Sequence, residues 1–174
     1  MRFCTQCGAP VTLRRPEGDT FERHVCTGCG EIHYLNPKVV VGTVCRWHDR
    51  VLLCRRAIEP GAGLWVVPAG YLERGESTED GARREAFEEA GARLDITGLL
   101  AVYNVVRIGQ VQLFYGARLV DPDVVPGPET LELDLFEWPA IPWDQLAFPS
   151  VRWVLRRALE VKDEAGPYLP ALGP

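Results

Sequence analysis

Two sets of residues in the 174-residue chain have types and spacings that can do metal chemistry. Glu85, Glu88 and Glu89 stand at i, i+3 and i+4, so on a helix three carboxylates crowd one face. Like charges so placed repel, and Arg84 offsets only part of that repulsion. Hard divalent cations take several oxygen ligands, and magnesium pairs a few carboxylates with substrate phosphates. A solvated glutamate-rich face has the same spacing, so geometry alone leaves both readings open. The second set is Cys4-x-x-Cys7 and Cys26-x-x-Cys29. Two such pairs can aim four thiolates at one ion, the tetrahedral set that zinc takes. A disulfide framework is the competing reading, and it fits poorly with a chain that opens Met1-Arg2-Phe3-Cys4 with no apolar signal region. His24 and His33 read as bystanders, and Cys45 and Cys54 as buried core residues.

The elements that must position these groups follow from the patterning. Short strands at Val11–Arg15 and Thr20–Val25, with a bend at Pro16-Glu17-Gly18-Asp19, link the cysteine turns into a ribbon. After Asn36-Pro37, β-branched runs at Lys38–Cys45 and Val51–Arg55 flank Trp47-His48-Asp49-Arg50 and predict a hairpin. Leu64–Val67, Leu94–Val106, Gln110–Val120 and Leu131–Trp138 read as further strands, and Asp121–Thr130 as a loop. Thr78–Ala90 reads as a helix, capped by Ser77 with Asp80 three residues on and ended by Gly91. Ala82, Ala86 and Ala90 recur every four residues, so one face of that helix packs closely and the other is acidic. Ser150 is expected to cap a final helix to Val161. The domain expectation is a ribbon over residues 1–35, a catalytic domain over 36–165 and a flexible tail over 166–174.

Composition bounds the function classes. Hydrophobic residues make up 47% and charged residues 25%, a globular balance. No apolar run reaches membrane-spanning length, and a cytoplasmic location is expected. Net charge is −5, and residues 1–35 sum to zero, so nothing advertises a nucleic-acid partner.

Gly70, Glu76, Arg84, Glu85, Glu88, Glu89 and Gly91 fall at the spacing G-x5-E-x7-R-E-U-x-E-E-x-G-U. This resembles the Nudix box at every fixed position, with Ala86 and Ala92 where bulkier aliphatics are usual. The resemblance implies an α/β fold, the Nudix α/β/α sandwich with a mixed β-sheet, preceded here by the small zinc ribbon. It implies that Glu85, Glu88 and Glu89 hold catalytic Mg2+ or Mn2+, joined by the carbonyl of Gly70. It makes Arg84 an ion-pairing support for the glutamates and Glu76 a support for the loop. The implied reaction is attack of a metal-activated water on a pyrophosphate phosphorus.

The cysteine segment, Tyr34-Leu35-Asn36-Pro37-Lys38, Gly63-Leu64-Trp65, Pro68 to Glu73, Arg107 to Gln110, Pro126-Gly127-Pro128-Glu129 and Leu146-Ala147-Phe148 are similar to plant chloroplast Nudix hydrolases that split FAD. Bacterial relatives of this layout are described as ADP-ribose pyrophosphatases. The implied substrate is a dinucleotide, FAD first and ADP-ribose second, and the implied assembly is a homodimer. Glu132 is the candidate extra metal ligand or general base. Arg55, Arg56 and Glu73 are candidate substrate-binding residues. Tyr103, Tyr115 and Trp65 read as core before they read as stacking platforms. The alternatives are an NADH, capped-RNA or nucleoside-triphosphate hydrolase. From a different class comes a zinc-ribbon nucleic-acid-binding protein with a degenerate catalytic domain.

Overall fold

The computed structural model describes residues 1–161 and the backbone of 171–172. The chain divides into two compact units, Met1–Pro37 and Lys38–Pro174. In the first, β1 (Val11–Arg14), β2 (Arg23–Cys26) and β3 (Ile32–His33) form an antiparallel sheet in the order β1-β2-β3. The β2 strand begins later than the sequence pattern predicts, because Asp19 turns back on the chain. Its carboxylate accepts from the Phe21 N–H at 3.0 Å and pairs with Arg23 at 2.9 Å, which keeps residues 20–22 out of the ladder.

The second unit is built on a mixed sheet in the order β10-β5-β4-β9-β8-β11. Its strands are β4 (Lys38–Trp47), β5 (Arg50–Arg56), β8 (Leu94–Val105), β9 (Gln110–Leu119), β10 (Thr130–Glu137) and β11 (Ala171–Leu172). The short β6 (Trp65–Val66) pairs with β5, and β7 (Ala69–Tyr71) with β4. The β4–β9 pairing is parallel, as is β8–β11. Of the tail expected to be loose from Gly166, Ala171 and Leu172 pair with Ala101 and Val102; the rest lies outside the described residues.

Two helices cover the two faces of this sheet. Adjacent residues on a strand point to opposite faces. Tyr115 of β9 packs with Val41 and Ala82, on the side of α1 (Thr78–Ala90). Phe114 meets Tyr103, which stacks edge-on against Trp153 of α2 (Pro149–Glu160) at 5.4 Å. The α/β/α layering expected from the resemblance is therefore present. Ala82, Ala86 and Ala90 are all fully buried, and their small side chains let α1 lie close to the sheet. Leu52, Leu53, Val154 and Leu155 are among the fully buried side chains of the core.

The caps show where local signals held. Ser77 accepts from the Asp80 N–H at 3.1 Å, and Gly91 ends α1 with φ +59°, a value that favours glycine. At α2 the expectation of a Ser150 cap is corrected. Phe148 is the N-cap residue, Pro149 takes the first turn where its missing N–H costs nothing, and Ser150 is buried inside the helix.

Candidate functional site

The glutamate helix is not acidic on its solvent face in the simple way the spacing suggests. Glu89 is only 8% exposed and accepts from the Ala69 N–H at 3.3 Å. Burial pushes its carboxyl up to about 8, the Ala69 N–H opposes that shift, and Glu85 adds to it. Burial likewise raises Glu85, against the lowering pull of Arg84. Glu88 lies nearer solvent, held by Arg84 at 2.9 Å. Adjacent residues of the helix thus differ, Glu89 buried and Glu88 exposed.

Gly70 is placed by β7, opposite Val41 in register. A Cβ there would collide with the Glu85 carboxyl group, so the absence of a side chain is what lets the carboxylate sit against the strand. Arg84 collects the neighbouring groups. It donates to Glu76 at 2.8 and 3.0 Å, to Glu85 at 2.8 Å, to Glu88 at 2.9 Å and to the Tyr71 carbonyl at 3.0 Å. Glu76 also accepts from the Glu73 N–H at 2.7 Å. Arg84, with that N–H, holds the Glu76 carboxyl down to about 2. One guanidinium thus braces the loop, the strand and two glutamates at once. Glu73 enters this network through its backbone N–H.

The loop over 121–130 brings a further acidic group. Val125 N–H donates to the Ala90 carbonyl and Gly127 N–H to the Glu89 carbonyl, so the loop closes the C-terminal end of α1. A Cβ on Gly127 would collide with the Glu88 carbonyl, which fixes glycine at that contact. The stitching places Glu129 near the helix carboxylates, and its charge raises both Glu85 and Glu89. Glu132, the sequence-based candidate, is held by a different partner. Its strand position pairs it with Arg55, 3.3 Å away, with 51% of its side chain exposed. In the sequence Glu129 is marked only by the Pro126-Gly127-Pro128-Glu129 segment.

The two candidate arginines also separate. Arg55 is engaged by Glu132 and by the Gly63 carbonyl at 2.8 Å. Arg56 donates its Nε–H to the Pro60 carbonyl at 2.9 Å, and its positive charge opposes the rise at Glu89. Tyr103, Tyr115 and Trp65 are buried, 3%, 6% and 7% exposed, and belong to the core.

The cluster fits a divalent cation on its own chemistry. Glu85 and Glu89 are raised by burial, with added repulsion from Glu88 and Glu129 at Glu85 and from Glu85 and Glu129 at Glu89, and a cation would relieve it. Among the described residues, though, the group whose ligand atoms all lie within 4.8 Å of one another is the cysteine set Cys4, Cys7, Cys26 and Cys29. All six cysteines are free thiols. The amides of Gly28 and Cys29 point at the Cys26 sulfur at 3.3 and 3.4 Å. The Cys29 N–H, more than that of Gly28, draws the Cys26 thiol down to about 6. His24 and His33 face each other across β2 and β3, outside this set.

A glutamate-bearing helix braced by one arginine thus lies on a mixed sheet between two helices. Comparison with known proteins gives the family. Residues 35–163 match the NUDIX domain model, and residues 2–35 match the zinc-ribbon model described as Nudix N-terminal. The chain belongs to the Nudix hydrolase family. It is 46% identical to the crystal structure of a NUDIX hydrolase from Nitrosomonas europaea, with TM-score 0.92, covering 99% of this chain and 98% of that one. It is 32% identical over 133 residues to the NAD-capped RNA hydrolase NudC of Stutzerimonas stutzeri, covering 75% of this chain and 46% of that protein. It is 28% identical over 119 residues to an ADP-ribose pyrophosphatase of Methanocaldococcus jannaschii, covering 66% of this chain and 69% of that protein. The chain spans less than half the length of the NudC relative. Among the described residues no helix is long and apolar enough to cross a membrane.

Proposed function

We propose that the protein hydrolyses the pyrophosphate bond of a nucleoside diphosphate linked to a second moiety, with ADP-ribose and FAD as the candidate substrates. The observation that carries this reading is the Glu85 carboxylate seated in the Gly70 cradle, with Glu129 acting electrostatically on Glu85 and Glu89 and Arg56 on Glu89. In this reading Glu85, Glu88 and Glu89, with the Gly70 carbonyl, hold magnesium or manganese. Bound divalent cations supply neutralisation of the pyrophosphate and a lowered pKa for the attacking water. Arg84 and Glu76 keep the glutamates aimed. Glu129 takes the place first given to Glu132, accepting the proton of the attacking water or completing the metal site. Arg56 binds a substrate phosphate. The products are a nucleoside monophosphate and a second phosphate ester.

The four cysteines hold one zinc ion in this reading, as a structural centre. The assembly is a homodimer, which light scattering tests; a monomeric mass would reject it. A second substrate reading, the NAD cap of an RNA, is favoured by the NudC relatives. The deciding experiment is a product assay across FAD, ADP-ribose, NADH, NAD-capped RNA and nucleoside triphosphates with magnesium. Release of AMP from ADP-ribose or FAD at the highest kcat/KM supports the proposal. Preference for capped RNA or a triphosphate overturns the substrate, and no hydrolysis of any of them overturns the activity.

A further inference from the structure

Arg55 and Arg56 are neighbours in sequence but are held in opposite ways. Arg55 is paired with a carboxylate, Glu132, at 3.3 Å. Arg56 is held by a neutral ring: its guanidinium carbon lies 5.3 Å from the centre of Phe148. A carboxylate partner spends the charge it positions. An aromatic face positions a guanidinium and leaves its charge available to an anion. The Nε–H of Arg56 is fixed on the Pro60 carbonyl, and its two Nη groups make no hydrogen bond among the described residues.

Phe148 is itself anchored to the strands that carry Arg56. Ala147 N–H donates to the Trp65 carbonyl at 2.9 Å, and Leu146 bridges Trp65. The loop between β5 and β6 closes over the same ring. Gly61 has φ +82°, and a Cβ on it would lie 3.1 Å from Ala147 Cβ, 3.7 Å from Phe148 Cζ and 3.8 Å from Arg56 Cδ. Arg56 N–H donates to the Leu64 carbonyl, and Gly63 N–H donates to the Arg56 carbonyl. Ring, loop and arginine are therefore packed as one unit, with the two Nη groups as its open end.

We propose that Phe148 is a positioning residue: it holds Arg56 in the rotamer that receives a substrate phosphate beside Glu89. This rests on the reading of Arg56 as a phosphate-binding residue. A long arginine side chain left free must lose its rotamer freedom when an anion binds; one already stacked loses less, and the gain appears as affinity. Phe148 touches no reacting atom, so its effect belongs in binding and not in the chemical step.

The test uses Phe148→Leu, Phe148→Tyr, Arg56→Ala and the Arg56→Ala/Phe148→Leu double variant, with Phe148→Met replacing Leu should that variant not fold. KM and kcat are measured for ADP-ribose with magnesium, and the affinity for inorganic pyrophosphate with magnesium is measured by calorimetry, which needs no turnover. Loss of the ring should raise KM and weaken pyrophosphate binding by about 3- to 10-fold with kcat changed less than about twofold. Phe148→Tyr, which keeps the π face, should restore both. In the Arg56→Ala background Phe148→Leu should add nothing further. The proposal is overturned by unchanged affinity in Phe148→Leu, by equal losses in Leu and Tyr, or by a loss that persists without Arg56. Unchanged pyrophosphate affinity in Arg56→Ala rejects the phosphate role of Arg56 and this proposal with it. The pyrophosphatase reading fails separately, when the wild-type chain releases no AMP from any dinucleotide.

Discussion

The cysteine ribbon and the glutamate helix both gather metal-binding side chains, yet they gather them differently. The four sulfurs already lie within 4.8 Å of one another, with backbone amides aimed at Cys26. The glutamates are braced apart: Arg84 takes Glu85 and Glu88, while Glu89 turns to the Ala69 amide. A closed set of soft ligands suits an ion that stays and holds structure. An open set of hard ligands, partly desolvated, leaves room for substrate oxygens to finish the coordination. In the proposed reading the same contrast separates a structural ribbon from a catalytic helix.

The largest expected effect breaks the helix side of this comparison. Glu89→Gln should lower kcat by about 100-fold or more while far-UV circular dichroism is unchanged. Near-normal turnover would remove Glu89 from the site. On the ribbon side, elemental analysis should find about one zinc per chain in the wild type, and Cys26→Ser should lose most of it. An equal zinc content in both would break the four-thiolate reading.

A third prediction uses the buried carboxyl. Its ordinary value is 4.5, and burial first of all raises Glu89 to about 8. Folded chain therefore keeps a proton that unfolded chain has released. Across that window the metal-free protein should lose stability as pH rises, by about 5 °C in Tm between pH 5.5 and pH 8. Glu89→Gln should flatten the curve, and added magnesium should restore the wild type at pH 8. A wild-type Tm that rises over the same window would contradict the burial. The smallest effects sharpen the choice of the extra acidic group. Glu129→Gln should cost about 10-fold or more in kcat, and Glu132→Gln less than about twofold. The reverse order would return the role to Glu132.

Much of this was legible in the sequence because it rests on local rules. The α1 span and its Ser77 and Gly91 caps follow from side-chain chemistry within a turn, as do the paired cysteine turns. The alanine stripe correctly marked the packed face. What the sequence did not carry was set by tertiary contact. Glu89 is buried with its carboxylate on the Ala69 amide of β7, and β7 itself is too short to register as a pattern. Glu129 comes close enough to act on Glu85 and Glu89 where Gly127 docks on the end of α1. Glu132 was favoured because it follows the Pro-Gly loop at the start of a strand; in the fold it is half-exposed and paired with Arg55. The final helix was expected to be capped by Ser150; its N-cap is Phe148, two residues earlier, with Pro149 in the first turn and the Phe148 ring against Arg56.

The central claim, that the open glutamate set is a divalent-metal site for pyrophosphate cleavage, is tested most directly by following AMP release from ADP-ribose and from FAD as magnesium is titrated into metal-free protein. The account predicts magnesium-dependent AMP with ribose 5-phosphate or FMN as the second product, lost in Glu89→Gln while zinc in the ribbon is unchanged. AMP release that is independent of magnesium, or that survives in Glu89→Gln, would contradict it.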